Sequence, residues 1–260
     1  LGVNQYRFNN VRGDVRWTPE FLAVTDATGN LYNGIARFSY RMAPLNAKGV
    51  TPTASFKTEY DDVDLLTLSD LWKFDGIKLA GRISGTNLLE WPIRRYSAHT
   101  GGGTVRFTPP DEAVLMTREM PLDRIAARKA RGEDAGPFSP LTPIEPVPVG
   151  GEVVYEFGPE WIDVMPSRLA TESTLVEVQG RTKYGEESDL PFHVSSADWQ
   201  ESDRVFAGIL TAFGSKTKAI PIGGYGTFDG AMTGAFRSPR IEGDFSGDQM
   251  RAWDVVWGAV

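Results

Sequence analysis

Alternation with a period of two dominates this chain. From Ile35 to Met42, the residues Ala36, Phe38, Tyr40 and Met42 interleave with Arg37, Ser39 and Arg41. That spacing puts an apolar row and a charged row on opposite faces of a strand. Ala54, Phe56 and Tyr60 alternate in the same way with Thr53, Ser55, Lys57 and Glu59. Val176, Val178, Thr182 and Tyr184 alternate with Glu177, Gln179, Arg181 and Lys183, and Gly180 stands in the apolar row. Strands that are wet on one face and apolar on the other belong to antiparallel or solenoidal sheet. Shorter strands are expected at 12–17, 21–25, 81–84, 104–107, 113–117, 152–157, 161–165, 226–236 and 241–245, separated by Gly, Pro, Asn and Asp clusters. Short strands in series with turn residues between them predict an all-β fold.

Helical period is scarce. The clearest helix runs from Ser202 to Phe213, with Val205, Phe206, Ile209, Leu210 and Phe213 on one side and Gly214 placed to end it. A second, basic helix is expected from Leu122 to Arg131, stopped by Gly132. Pro137, Pro140, Pro143 and Pro146 then recur at every third residue, followed by Pro148. A three-residue Pro period favours an extended polyproline II path, here a semi-rigid strap.

The chain also resembles itself. Gly13-Asp14-Val15-Arg16-Trp17, with Pro19-Glu20-Phe21 after it, returns 138 residues later as Gly151-Glu152-Val153-Val154-Tyr155, with Pro159-Glu160-Trp161 after it. Phe56 to Tyr60 is matched by Phe192 to Ser196, and Gly81-Arg82-Ile83-Ser84-Gly85 by Gly243-Asp244-Phe245-Ser246-Gly247. The shared order implies two tandem modules joined near the Pro strap: 1–120, a connecting basic helix and strap over 121–149, and 150–260. A single layer of strands, each apolar on one face, has to curl, pair with a second layer or hold something apolar.

Composition narrows the functional classes. At 260 residues the chain is one large or two ordinary domains, and with 41% apolar residues it can bury a core. Acidic residues outnumber basic ones, 34 to 27, which disfavours binding to nucleic acid phosphates. Cys is absent, excluding disulfides, thiolate nucleophiles and Cys-ligated metals. No apolar run approaches the roughly 18 residues of a membrane-spanning helix. The chain opens Leu1-Gly2-Val3 with neither an initiator Met nor a signal segment and closes Gly258-Ala259-Val260. It is expected to be an excerpt of a longer protein whose anchor lies outside it.

The stretch from Gly224 to Gly247, GYGTFDGAMTGAFRSPRIEGDFSG, carries a strand ending in Gly, a Ser238-Pro239-Arg240 corner and another strand ending in Gly. It resembles the recurring unit of the TamB and AsmA-like family, and the strands at Gly13, Gly81 and Gly151 are similar to others of that family. The resemblance implies an elongated, twisted and curved antiparallel sheet forming an open groove, with one or two short helices. It implies a periplasmic protein tethered to the inner membrane by a segment outside this chain. Phospholipid acyl chains would lie in the groove, in support of phospholipid transport or outer-membrane assembly. An outer-membrane β-barrel partner would be engaged through regions outside this chain. The residues expected to line the groove are Ala36, Phe38, Tyr40, Met42, Ala54, Phe56, Tyr60, Val176, Val178 and Tyr184. The same rows would equally form the core of a β-sandwich. The strap and basic helix are departures from the family pattern.

Catalytic chemistry is thin by comparison. The two His, His99 and His193, show neither metal-ligand spacing nor a nucleophile motif. Phosphate loops and dinucleotide fingerprints are missing, so no cofactor, metal or enzymatic activity is expected. One alternative of another class remains: a secreted β-sandwich module that binds or cleaves glycans with Trp platforms and the cluster Asp61, Asp62, Asp64 and Asp70. A purely structural spacer with a dry core is the third reading.

Overall fold

A computed structural model describes residues 2–3, 6–72, 74, 76–117, 146–212, 214–253 and 255–260. Strands β1 (Gly2–Val3) and β2 (Tyr6–Arg7) form a small hairpin of their own. After them come β3 (Asn9–Trp17), β4 (Leu22–Leu31), β5 (Gly34–Ala43) and β6 (Thr53–Asp64), which lead into helix α1 (Leu65–Trp72). Strand β7 (Leu79–Ala80) precedes β8 (Arg82–Pro92) and β9 (Thr100–Thr108). The second half holds β10 (Val147–Pro148), β11 (Gly150–Phe157), β12 (Ile162–Ala170), β13 (Thr174–Thr182) and β14 (Ser188–Ser196). Helix α2 (Trp199–Ala212), β15 (Ile222–Ala235), β16 (Ser238–Ala252) and β17 (Val255–Gly258) complete the order.

Thirteen strands form one antiparallel sheet in the order β17-β16-β15-β14-β13-β12-β11-β9-β8-β6-β5-β4-β3, not closed into a barrel. The protein is therefore all-β, with helices only as insertions. Neighbours in the sheet are also neighbours in the chain, apart from β7 and β10, which pair in parallel beside the sheet.

The order of elements repeats. Counting only strands of the large sheet, four strands, a helix and two strands run from β3 to β9, with β7 set beside them, and the same series runs from β11 to β16. The similar openings at Gly13 and Gly151 are the first strands of the two series, and each leads into a tight turn. The Thr18 N–H donates to the Phe21 carbonyl, and the Gly158 N–H donates to the Trp161 carbonyl, both at 2.9 Å. Pro19 and Pro159 occupy the second turn position, where their fixed φ fits. Phe56 to Tyr60 and Phe192 to Ser196 also fall on equivalent strands, the ones that feed the helices. The third correspondence does not hold. Gly81 to Gly85 opens β8, the first strand of the large sheet after α1, whereas Gly243 to Gly247 lies on β16, the second strand of that sheet after α2. Closely spaced Gly recurs wherever a neighbouring ring or strand comes close, so it marks contact and not position in the series.

Asp residues start both helices. Asp64 Oδ2 accepts the Thr67 N–H at 3.1 Å and the Thr67 hydroxyl, and Asp198 Oδ1 accepts the Gln200 N–H at 3.0 Å. Helix α2 begins three residues before the apolar period announces it, because Asp198 sets the boundary. Helix α1 has no clear sequence signature: Leu65, Leu66, Leu68, Leu71 and Trp72, with Thr67, Ser69 and Asp70 between them, span only eight residues. The segment 113–117 is not a strand. The Met116 N–H bonds to the Thr171 carbonyl at 2.8 Å, and its side chain packs on Ala170 and Leu175, so its alternation reflects one-sided burial without a ladder. The helix expected at 122–131 and Pro137, Pro140 and Pro143 lie outside the described residues. Pro148 falls in β10.

Candidate functional site: one apolar sheet face

Partners across an antiparallel pair share a face, so the register traces each face from strand to strand. One line of partners runs Val63, Ile83, Phe107, Gly151, Leu169, Val176, Val194, Phe228, Phe245, crossing nine strands without a polar residue. A second line, nearer the opposite margin, runs Val15, Val24, Tyr40, Phe56, Leu89, Gly101, Phe157, Ile162. Ala36 faces Tyr60, Phe38 faces Thr58, and Met42 faces Ala54 on the same side. Val178 follows Val176 two residues on, opposite Phe192.

Nine of the ten residues expected as lining thus share one face. Tyr184 does not belong to the row. Strand β13 ends at Thr182, and Tyr184 sits in the following turn at φ 48°, closed by the Lys183 N–H bonding to the Glu187 carbonyl at 2.7 Å. Its hydroxyl donates to the Gly158 carbonyl at 2.5 Å and meets His99 Nε2 at 2.8 Å. His99 stacks on Tyr96 with centroids 5.2 Å apart, so these side chains make an aromatic cluster at the rim of the sheet. Burial raises the Tyr184 phenol above its usual pKa, with Tyr96 adding to the effect.

The two described helices cover the part of the apolar face nearer Val63, Ile83 and Val194. Leu65 and Leu68 of α1 and Val205 of α2 share one cluster with Ala36, Val63 and Ile83. Phe206 of α2 lies over Phe192 at 6.2 Å. Toward the other margin Phe38, Tyr40, Met42, Phe56, Leu89 and Trp91 are only half-buried. Burial still raises the Tyr40 phenol above its ordinary pKa.

Glycines shape this half. A Cβ on Gly101 would stand 2.5 Å from Phe157 Cζ, and one on Gly103 would stand 2.9 Å from the Tyr155 hydroxyl oxygen. Both rings therefore reach across the adjacent strand, and the Tyr155 hydroxyl donates to Asn87 Oδ1 at 3.0 Å. Leu89, Tyr155, Phe157 and Val164 belong to the same surface but were not expected there, and Trp91 joins them opposite Ala54. The run Gly101-Gly102-Gly103 was the available sign, since side-chain-free positions inside a strand signal close approach.

The opposite face is mostly polar, apart from the patch of Ala170 and Leu175 that Met116 covers. Cross-strand ion pairs include Arg106 with Glu152 at 3.2 Å and Arg181 with Asp163 at 2.5 Å, and Arg181 also stacks over Trp161 at 4.7 Å. The Arg181 guanidinium holds the Asp163 carboxyl below the usual range. The Arg106–Glu152 pair and the Arg181 guanidinium stand in solvent, which screens these attractions. His193 belongs here too: its Nδ1 meets Asp229 Oδ1 at 2.6 Å and its Nε2 meets Ser195 Oγ at 3.1 Å. Ser195 pairs with Leu175 on one side and Thr227 on the other, in mid-ladder.

The acidic cluster is taken up structurally. Asp61 accepts the Ser84 hydroxyl at 2.7 Å, Asp62 faces Arg82 at 3.6 Å, Asp64 caps α1, and Asp70 pairs with Lys78 at 3.1 Å. Among the described residues no group of three or more His, Asp or Glu is arranged to hold a metal ion. Among the same residues no helix is long and apolar enough to cross a membrane. Comparison with protein-family models, with curated proteins and with solved structures returns no match for this chain.

Proposed function

We propose that this chain binds lipid acyl chains along the apolar face of its open sheet. It would do so as a non-enzymatic segment of a TamB- and AsmA-like periplasmic protein that supports phospholipid transport or outer-membrane assembly. The observation that carries this reading is the pair of apolar lines spanning eight or nine strands, the outer of which lies beyond the helices and is only half-buried. An acyl chain laid along that surface gains about 0.8 kcal/mol per methylene removed from water. The charged opposite face keeps the sheet in water on its other side, which suits a carrier that shields its cargo on one side only. Membrane anchor and barrel partner belong, in this reading, to parts of the protein outside this chain.

Lipid extraction and mass spectrometry of the protein purified without detergent test this. Phospholipid is expected to co-purify and to crosslink to photoreactive residues placed at Phe38, Phe56 and Val178. Phe38→Glu and Val178→Glu abolish the bound lipid and leave the β-rich circular dichroism in place. A lipid-free parent with no crosslinks at all three positions overturns the reading.

A further inference from the structure

Among the described residues strand β3 forms one free edge of the sheet, and all nine of its residues are exposed. Its apolar side chains are unusually bare: Val15 is 70% and Trp17 80% exposed. Both lie on the apolar face, opposite Val24 and Leu22. Free edges are normally blunted by Lys, Pro or bulges. Strand β3 has neither Lys nor Pro, and its two irregularities lie before Asp14, leaving Asp14 to Trp17 in regular register.

We infer that this edge is an interaction surface for a second copy of the same chain, paired antiparallel about Val15. That register sets Val15 opposite Val15, Asp14 of each copy opposite Arg16 of the other, and Gly13 opposite Trp17. Opposite charges meet twice, and each Trp17 ring is offered a Gly, the arrangement Phe157 and Tyr155 already make on Gly101 and Gly103. Centring on Asp14 would oppose Asp14 to Asp14 and Arg12 to Arg16. Centring on Gly13 would leave Trp17 opposite Asn9 and run through the irregular stretch. The Val15-centred pair closes with two-fold symmetry, joins the two sheets into one and makes their apolar faces continuous.

The chain contains no Cys, so Val15→Cys introduces a single thiol. Symmetric pairing brings the two Cβ atoms to roughly 4.5–5.5 Å, close enough for a disulfide with slight adjustment. Mild oxidation of the full chain is expected to give a disulfide-linked dimer with Val15→Cys and none with Val11→Cys. By sedimentation equilibrium the parent is a dimer, and Asp14→Arg or Arg16→Asp alone weakens it about tenfold. The double variant Asp14→Arg/Arg16→Asp restores it, and an equimolar mixture of the two single variants forms a mixed dimer. A parent that stays monomeric at tens of micromolar overturns the inference. Growth into open-ended polymers does so too, since it would mean that β17 of one copy pairs with β3 of the next.

Discussion

Helix α2 is held on the sheet by a chain of buried hydroxyls, and removing its central member has a calculable cost. Ser202 Oγ lies 2.7 Å from Thr174 Oγ1 and 2.7 Å from Ser196 Oγ. Ser202 and Ser196 are fully buried and Thr174 is 1% exposed, so water replaces none of these bonds. Ser202→Ala strips one partner from each neighbour. A buried hydroxyl left unpaired costs about 1–3 kcal/mol. Thr174 keeps a longer contact to Glu201 Oε1 at 3.4 Å and so loses less than Ser196. The expected total is about 2–3 kcal/mol, read as a lower urea midpoint with unchanged slope by far-UV circular dichroism. Ser196→Ala alone costs about 1 kcal/mol, because Ser202 still bonds Thr174. In the double variant Ser196 no longer stands unpaired, so the combined loss falls short of the sum by about 1 kcal/mol. Strict additivity, or a Ser202→Ala midpoint within error of the parent, would refute the account of how α2 is clamped.

Glu201, bonded by the Thr171 hydroxyl and by the Ser173 N–H at 3.3 Å, has its pKa raised chiefly by burial, with those bonds acting against the shift. Stability from a raised carboxyl is complete below the unfolded glutamate range and is lost as pH rises through the higher folded value. Glu201→Gln keeps an acceptor but cannot ionise, so it is expected to be more stable than the parent at neutral pH, with the gap closing in acid. A gap independent of pH in thermal melts would count against this. Gly103→Ala places a methyl 2.2 Å from the Thr86 carbonyl oxygen and 2.9 Å from the Tyr155 hydroxyl oxygen. It is expected to cost about 1–3 kcal/mol by overpacking and to lower the melting temperature; an unchanged melt would show that the ring does not lie there.

The residues that alternate most strictly were the most legible. Arg37, Ser39 and Arg41 against Phe38, Tyr40 and Met42 define both faces of β5, because a period of two has one structural meaning. Turn residues placed β3–β4 and β11–β12 equally well. Helix α1 escaped because eight residues hold only about two turns, too few for Thr67 and Asp70 to reveal a helical period beside the Leu residues. Tyr184 was misplaced because a row continues in sequence after the strand has turned. What no local pattern carries is which part of a face the helices cover: Val205 joins the cluster that holds Ile83 only through the tertiary fold.

The neighbour-to-neighbour strand order bears on how the chain reaches this state. Almost every ladder joins segments close in sequence, so each strand adds to a growing edge with little loop to close. The exceptions are the junction of β9 with β11, between Thr108 and Gly150, and the short parallel pair of β7 with β10. Each half can zip up on its own, starting from its own hairpin, and the seam between them is the last ladder to form. What the first half still waits for is local to the helix-covered core: β10 beside β7, and Val149 and Val205 in the cluster around Val63 and Ile83.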